Sequence, residues 1–184
     1  ETILGLGIDR IKLPPGVSIE QAKVIYGNSK YVRIVEENFI YKVDPIGVSP
    51  RPTADPNTID EEALKTWHLK KIQADAAWLR PPQGTVVVGI IDTGIDYNHP
   101  DITDNIWTDP KNHHTHGFNA VNLKNILDPM DDNTHGTHVG GIVAAVKNEF
   151  GATGIDFRAK LMGIKVLNKM GFGESSDIAV GIYF

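Results

Sequence analysis

The spacing of hydrophobic positions changes along the chain, and each spacing predicts a different element. The stretch TVVVGIID (85–92) is apolar without alternation, which is typical of a strand buried on both faces of a parallel sheet. In HGTHVGGIVAAVKN (135–148), positions 135, 138, 139, 142, 143 and 146 follow helical spacing, which predicts a helix with one inward face. AKLMGIKVL (159–167) predicts another strand, and SSDIAVGIYF (175–184) predicts a helix with a serine cap. This alternation predicts an α/β fold with a doubly wound parallel sheet.

The first 43 residues have a separate pattern, that of a small α+β unit. Ser18 precedes an apolar helical pattern with Gln21 at the third helical position, and Gly27 follows the pattern. This arrangement predicts a short helix with a capping box and a glycine stop. Extended runs rich in β-branched and aromatic residues flank the helix: residues 4–13, YVRIV (31–35) and NFIYKV (38–43).

Residues 44–57 contain four prolines among small polar residues, a composition that does not bury a core. We therefore predict a partial N-terminal unit at 1–43, a proline-rich linker at 44–57, and an α/β domain at 58–184. The last helical pattern runs to Phe184 without a cap, and the first strand is already under way at residue 5. We expect the chain to be a fragment, truncated at both ends.

Composition and charge exclude several classes of function. The net charge is −5, and the 18 Lys and Arg residues form no basic stripe, which argues against a nucleic-acid partner. No window approaches the roughly 18 consecutive apolar residues that a membrane span needs. The absence of cysteine excludes disulfides, thiol catalysis and thiolate metal sites.

Two motifs carry candidate chemistry. Asp92 stands at the carboxyl end of the predicted buried strand, where open α/β sheets place ligand and catalytic groups, and Gly94 allows a sharp turn after it. His135 opens the glycine-rich helix, whose N-terminus disfavours a positive imidazolium, while a nearby carboxylate would stabilise the charge once it forms. Those opposing influences suit a general base. Each motif alone also fits a structural role, Asp92 as a loop cap and His135 as a residue at a helix cap.

Taken together, DTGIDYNHPDI (92–102) and DDNTHGTHVGGIVAA (131–145) resemble the aspartate and histidine signatures of the subtilisin-like serine proteases, and KLMGIKVL (160–167) follows in family order. The resemblance extends from about Trp67 to the end of the chain. It implies a serine endopeptidase that acts on protein or peptide substrates, with Asp92 as the triad aspartate and His135 as the triad base. It also implies that His138 is a packing residue.

The N-terminal unit supports the same resemblance. LPPGVSIEQAKVIYGNSKYVRIVEENFIYKV (13–43) is similar to the second half of the inhibitory propeptide of these proteases, a ferredoxin-like α+β domain that is only partly present here. The resemblance implies that this unit templates folding and inhibits the enzyme intramolecularly, with its C-terminal tail in the substrate groove until it is cut. We predict cleavage in the linker after Val43. Secretion is likewise implied by the family alone.

Two further sites follow from the resemblance. Gly171, Phe172 and Gly173 match a glycine-flanked strand that pairs with extended substrate, although an ordinary loop between strand and helix would have the same sequence. The segment after the histidine helix has the length of the family's calcium loop, which implies a structural Ca²⁺. The implied ligands are the carboxylate of Asp101, the amide of Asn148 and the main-chain carbonyls of Val146, Phe150 and Ala152.

The nucleophile of a triad is missing from the sequence. The serines are Ser18, Ser29, Ser49, Ser175 and Ser176, and none stands in the family's G-T-S-M-A setting. Ser175 and Ser176 are better explained as helix caps. We expect the serine and the oxyanion asparagine to lie beyond residue 184, and the chain alone to be inactive.

Two other classes of protein remain as alternatives. One is a noncatalytic peptide-binding module derived from a truncated or degenerate protease. The other is a metallohydrolase using Asp92, His135 and His138, which is disfavoured because zinc-binding histidines usually stand four residues apart with a glutamate between them. The histidines at 113, 114 and 116 are interpreted as part of a polar surface loop rather than a metal site.

Overall fold

The computed structural model describes residues 2–3, 7–46, 67–80, 84–112, 114–148 and 151–184. Its strands are β1 (Thr2–Ile3), β2 (Ile8–Asp9), β3 (Ile40–Lys42), β4 (Val87–Asp92), β5 (Gly117–Asn119), β6 (Lys160–Lys165) and β7 (Phe172–Glu174). Its α-helices are α1 (Ile19–Gly27), α2 (Ala74–Trp78), α3 (His135–Ala144) and α4 (Ser175–Tyr183), and Thr103–Asn105 forms a 3-10 helix.

A parallel sheet of three strands organises the α/β part in the order β4-β6-β5. β4 and β6 pair along their full lengths, so that Asp92 lies opposite Lys165. Because side chains alternate across a strand, Leu161 and Ile164 of β6 face opposite sides of the sheet. Gly140 of α3 lies against Leu161, and Gly181 of α4 lies against Ile164. Helices therefore cover both faces, which confirms the predicted doubly wound α/β architecture.

Each face of the sheet has its own hydrophobic core. The core under α3 consists of Ile90, Ile95, Ile102, Ala144, Ala145, Ala159 and Leu161. The core on the other face consists of Phe118, Ala120, Ile164, Val166 and Leu167, with Val43 of the N-terminal unit packed against it. This second core therefore joins the two parts of the chain.

The predicted strand at 85–92 is present, but the prediction that both its faces are buried was wrong. Ile90 is 4% exposed, whereas Val87 is 44% and Ile91 is 42% exposed. β4 lies at an edge of the described sheet, and Gly181 of α4 lies near Ile91 on its second face.

The inward face of α3 also differs from the predicted one. Gly136, Gly140 and Ala144 are buried, while His138 and Ile142 are exposed. His138 is therefore not a packing residue. Small residues spaced four apart let the helix approach the sheet more closely than the larger apolar side chains would, and apolar periodicity does not register that effect.

The N-terminal unit is only partly as predicted. The capping box of α1 is confirmed, because Gln21 N donates to Ser18 Oγ (3.2 Å) and Ser18 N donates to Gln21 Oε1 (2.9 Å). Of the three extended runs, residues 31–35 form no strand, and the run before α1 contributes only the short β2 among its described residues. Ile40–Lys42 does form a strand, but it pairs with β7 of the α/β part. Most of the predicted linker, 47–57, lies outside the described residues.

The predicted serine cap of α4 is absent. Glu174 is the N-cap residue and makes no side-chain capping bond. Instead, Ser175 N donates to the Phe39 carbonyl (2.9 Å) and Ser176 N donates to Asn38 Oδ1 (3.0 Å). The first turn of α4 is therefore satisfied by residues of the N-terminal unit.

Candidate active site

The carboxylate that ends β4 and the imidazole that begins α3 are in direct contact. His135 Nδ1 lies 2.8 Å from Asp92 Oδ1 and 2.9 Å from Asp92 Oδ2. The two side chains are 21% and 11% exposed, respectively. When Nδ1 carries the proton and donates a hydrogen bond to Asp92, the lone pair of the ring lies on Nε2, which is then able to accept a proton. The two residues singled out from the sequence thus have the geometry of an oriented general base.

Two glycines let the turn after Asp92 and the start of α3 approach each other closely. Gly94 has φ +111°, and a Cβ on it would lie 2.4 Å from the Pro129 carbonyl oxygen. A Cβ on Gly136 would lie 2.1 Å from the Gly94 carbonyl oxygen and 3.2 Å from Asp92 Cβ. Any side chain at Gly136 would therefore displace α3 from the carboxylate that His135 contacts.

Thr93, which the sequence interpretation did not single out, joins the two loops. Its side chain is fully buried. Thr93 Oγ1 donates to Asp131 Oδ1 (2.9 Å) and accepts from Gly136 N (2.9 Å). Thr93 N donates to Asp92 Oδ1 (2.6 Å), which fixes the carboxylate facing His135. One residue therefore orients Asp92 and the start of α3 together.

Asp131 supplies most of the side-chain bonds that cap α3, although Thr134 is the N-cap residue and Asn133 Oδ1 also accepts from His135 N (3.3 Å). Asp131 Oδ1 accepts from Thr93 Oγ1, Asn133 N and Thr134 N, and its Oδ2 accepts from Thr137 N and Thr137 Oγ1 at 2.6–3.0 Å. Thr134 makes no side-chain capping bond. Burial acts to raise the pKa of Asp131, but hydrogen bonds from Thr137, Asn133 and Thr93 together outweigh it and hold the pKa below its ordinary value. Asp131 therefore stays ionised at neutral pH.

Lys165 provides a buried cation behind the site. It is 4% exposed, and its Nζ donates to the carbonyl oxygens of Thr93 and Leu167 and to Asp132 Oδ1 (2.6 Å). It thus connects the turn after Asp92 with the loop before His135. Two of the partners of Lys165 lie 72 and 33 residues away along the chain. No local sequence pattern therefore predicts the role of this lysine.

The residues predicted to bind substrate form one side of an antiparallel strand pair. Tyr41 lies opposite Gly173 and Lys42 opposite Phe172, and Val43 N donates to the Gly171 carbonyl (3.0 Å). After β3, the N-terminal segment continues along a cavity of about 370 Å³. The cavity is lined by residues 42–46, Asn133, Thr134 and Met170. Asn133 and Thr134 immediately precede His135, so the extended segment leads toward the Asp92–His135 pair.

The serines near this strand pair have other contacts. Ser175 Oγ donates to the Phe39 carbonyl (3.2 Å) and accepts from Phe39 N (2.9 Å). Ser176 Oγ is buried and has no hydrogen-bond partner among the described residues. Neither hydroxyl is hydrogen-bonded to His135 in the described part of the chain.

Asp101, the predicted carboxylate ligand for calcium, has one satisfied and one unsatisfied oxygen. Oδ2 accepts from Ala152 N (2.9 Å), while Oδ1 is buried without a hydrogen-bond partner among the described residues. The Asp101 carbonyl accepts from Val146 N (2.8 Å), so three of the five predicted ligand residues lie together. Asn148 is exposed, and Phe150 lies outside the described residues.

The histidines outside the motif do not form a metal centre in the described structure. Where the chain is described, no group of three or more His, Asp or Glu side chains is arranged to hold a metal ion, and Asp92, His135 and His138 therefore form none. His116 Nδ1 lies 3.1 Å from the Trp107 carbonyl oxygen, and its ring lies against Tyr97. His113 lies outside the described residues.

The segment assigned to a surface loop contains an element that the sequence interpretation missed. Gly117–Asn119 forms β5, and all three of its residues are buried. With only three residues and a leading glycine, the strand has no apolar run that would reveal it.

Comparison with known proteins agrees with this geometry. Residues 83–184 match Peptidase_S8, the subtilase family. The chain is 41% identical over 105 residues to subtilisin-like protease 1 of Plasmodium falciparum (isolate 3D7), covering 48% of this chain and 15% of that protein. It is 39% identical over 119 residues to an intracellular serine protease of Paenibacillus polymyxa, covering 63% of this chain and 34% of that protein.

A third relative is the cell wall-associated protease of Bacillus subtilis (strain 168), which is 37% identical over 129 residues, covering 70% of this chain and 14% of that protein. Because the family match spans more than half of the chain, the protein belongs to the subtilase family. The aligned region is at most 34% of each of these relatives. None of the described helices is long and apolar enough to span a bilayer.

Proposed function

We propose that this chain is part of a serine endopeptidase in which Asp92 and His135 form two members of a catalytic triad. The observation that carries the proposal is the 2.8 Å contact between His135 Nδ1 and Asp92 Oδ1, at the carboxyl end of a parallel strand and the start of a helix. Membership of the subtilase family and the protease names of the relatives support it. The alternative of a noncatalytic peptide-binding module is not favoured by those names.

In the proposed mechanism, Nε2 of His135 removes the proton from a serine hydroxyl, and the serine oxygen attacks the carbonyl carbon of the scissile peptide bond. Asp92 holds the tautomer with the proton on Nδ1 and stabilises the imidazolium once it forms. His135 then gives the proton to the departing amine. The serine and the oxyanion donor are proposed to come from the part of the protein outside these 184 residues, since the relatives are much longer.

The test uses the whole protein and a quenched peptide substrate. Asp92→Asn should lower kcat by on the order of 10⁴-fold and His135→Ala by on the order of 10⁶-fold. His138→Ala is the matched control, because His138 is an exposed histidine three residues further along the same helix. Retained activity in His135→Ala would refute the proposal. The 184-residue chain alone should be inactive, and turnover abolished by Ser175→Ala or Ser176→Ala would also contradict it.

We also propose that residues 1–43 are an intramolecular inhibitor and folding template, with the tail at β3 occupying the substrate groove. The antiparallel pairing of Ile40–Lys42 with Phe172–Glu174 supports this proposal, because an extended substrate would pair with the same strand edge. The packing of Val43 on the second core supports it too. N-terminal sequencing of the matured protein should locate the cut after Val43, within 44–57, and a cut inside 67–92 would contradict it.

We propose further that Asp101 binds a structural Ca²⁺ with Val146, Asn148, Phe150 and Ala152. The buried Oδ1 of Asp101, which has no hydrogen-bond partner among the described residues, supports the proposal, because a buried carboxylate oxygen without a donor is a natural ligand for a hard cation. A Cβ on Gly151 (φ +64°) would lie 2.5 Å from that carboxylate, so the loop closes around it only as glycine. When bound, the ion would hold the loop after α3 against the segment that contains Asp101.

Calcium binding is tested by thermal unfolding in Ca²⁺ and in chelator. The Tm of the protein should fall in chelator, and Asp101→Asn should lower the Tm in Ca²⁺ and abolish the chelator effect. Asp104→Asn, which neutralises an exposed carboxylate three residues away, is the control. A Tm indifferent to chelator would remove the ion from the proposal. Secretion stays a prediction, since one relative is named as intracellular and another as cell wall-associated.

A further inference from the structure

Phe172 is flanked by glycines in the strand that pairs with the tail of the N-terminal unit. Tyr41 lies opposite Gly173, and Val43 N donates to the carbonyl of Gly171. The two glycines offer only backbone to a paired chain, and main-chain pairing does not distinguish one sequence from another. At the position between them, Phe172 offers a side chain to whatever residue lies opposite.

The residue opposite Phe172 in this structure is a cation. Lys42 is the register partner of Phe172, and its Nζ lies 5.1 Å from the centroid of the Phe172 ring. Directly opposed residues of an antiparallel pair project to the same face of the sheet, so this contact follows from the strand pairing. The ring is partly buried and the lysine is exposed. A cation within about 6 Å of a ring centroid is attracted by the negative face of the ring.

We infer that Phe172 is a specificity-determining residue that favours peptides with lysine or arginine at the position that lies opposite it. The inference rests on the proposed protease function and on the proposed binding of substrate along β7. A methionine there keeps the apolar contact without the charge, and a glutamate is repelled by the face of the ring. Because the contact is open to solvent, the preference for a cation is about two- to five-fold.

Glu174 could also attract a cation on this face of β7, since it lies two residues from Phe172 and carries a carboxylate. In the structure its carboxylate accepts from Arg10 Nη1 (2.9 Å) and Asn38 Nδ2 (2.6 Å), both from the N-terminal unit. Once that unit leaves, Glu174 is also able to attract a basic peptide. The test must therefore separate the ring from the carboxylate.

The first experiment measures kcat/KM of the matured full-length protease on quenched peptides with the sequence of residues 36–50, varied only at position 42. Lysine and arginine peptides should be cleaved about two- to five-fold faster than the methionine peptide, and glutamate should be slowest. In Phe172→Leu, which keeps an apolar side chain without a ring, the preference for lysine over methionine should shrink to what Glu174 contributes. An undiminished preference in Phe172→Leu would assign it to Glu174 and overturn the inference.

Equal cleavage of all the peptides by the wild-type protease would also overturn the inference while leaving the proposed function intact. Absence of cleavage of these peptides and of casein would instead contradict the proposed function. A second measurement does not depend on activity. In the 184-residue chain, Lys42→Met and Phe172→Leu should each speed hydrogen exchange of the Val43 amide about two- to five-fold, and the double variant should be no faster than either. Additive effects would show that the two side chains do not interact.

Discussion

Neutralising Asp131 should destabilise the fold, because the carboxylate of Asp131 accepts hydrogen bonds at the start of α3. In Asp131→Asn, the amide oxygen takes the position of Oδ1 and keeps three of its donors, while the NH₂ group takes the position of Oδ2. The Thr137 hydroxyl rotates to accept from that group, but Thr137 N, which donates to Oδ2 at 2.9 Å in the native chain, is left facing another donor. The substitution thus removes one main-chain hydrogen bond and one charge.

The expected magnitude follows from those two losses. An unsatisfied donor costs about 1–3 kcal/mol. Removing an anion from a helix N-terminus costs about 0.3–1 kcal/mol. Because Asp131 is only half-buried, water compensates part of both losses, and we expect the free energy of unfolding to fall by about 2 kcal/mol. That would be a substantial part of the roughly 5–15 kcal/mol that stabilises a typical domain.

Urea denaturation of the chain, followed by far-UV circular dichroism, measures this change, with Asp104→Asn as the control for loss of an exposed carboxylate. The pH dependence has a definite sign. Since the pKa of Asp131 is lower when folded than the ordinary 3.8, its stabilisation is complete above the unfolded pKa and disappears as the pH falls through the folded pKa. A loss no larger than that of the control would refute the reasoning, as would a difference that fades near neutral pH.

Three further substitutions test other parts of the described structure by the same urea assay. Lys165→Met leaves two carbonyls and Asp132 without a buried donor and should cost about 2–4 kcal/mol; a loss below about 1 kcal/mol would show that water replaces the ammonium. Gly136→Ala places a Cβ 2.1 Å from a carbonyl oxygen and should cost more than about 2 kcal/mol, so a neutral effect would contradict the close approach of α3. Burial and the nearby Glu174 raise the pKa of Asp177 despite Arg10. Asp177→Asn should therefore stabilise the chain at pH 7 by roughly a few tenths of a kcal/mol, an advantage that disappears as the pH falls through the raised pKa.

The sequence was sufficient to single out Asp92 and His135 because each residue stands at an element boundary that its neighbours mark. The apolar run before Asp92 and the glycine after it define the end of a strand, and the glycine-rich periodic stretch after His135 defines the start of a helix. In a parallel sheet, such boundaries meet at one edge. Their contact at 2.8 Å agrees with the pairing that the resemblance to the subtilisin-like proteases implied.

The supporting groups were not predictable in the same way. Asp131 and Thr93 bond across 38 residues, and Lys165 reaches Thr93 across 72, so each pairing depends on the completed sheet. The inward face of α3 was assigned wrongly for a related reason. Apolar periodicity records which side chains avoid water, whereas this helix is positioned by the absence of side chains at Gly136 and Gly140.

The same supporting groups explain how a polar site remains fixed at the edge of an apolar core. Thr93 is surrounded by charges of both signs: Asp92 precedes it, Asp131 accepts from its hydroxyl, and the ammonium of Lys165 binds its carbonyl. Each buried or half-buried charge is therefore paired or hydrogen-bonded, which is the condition under which burial of charge is tolerated. Because these bonds converge on one fully buried threonine, the loops of Asp92 and His135 cannot move separately without breaking several of them. The orientation of the proposed general base is thus a property of the network that holds both loops.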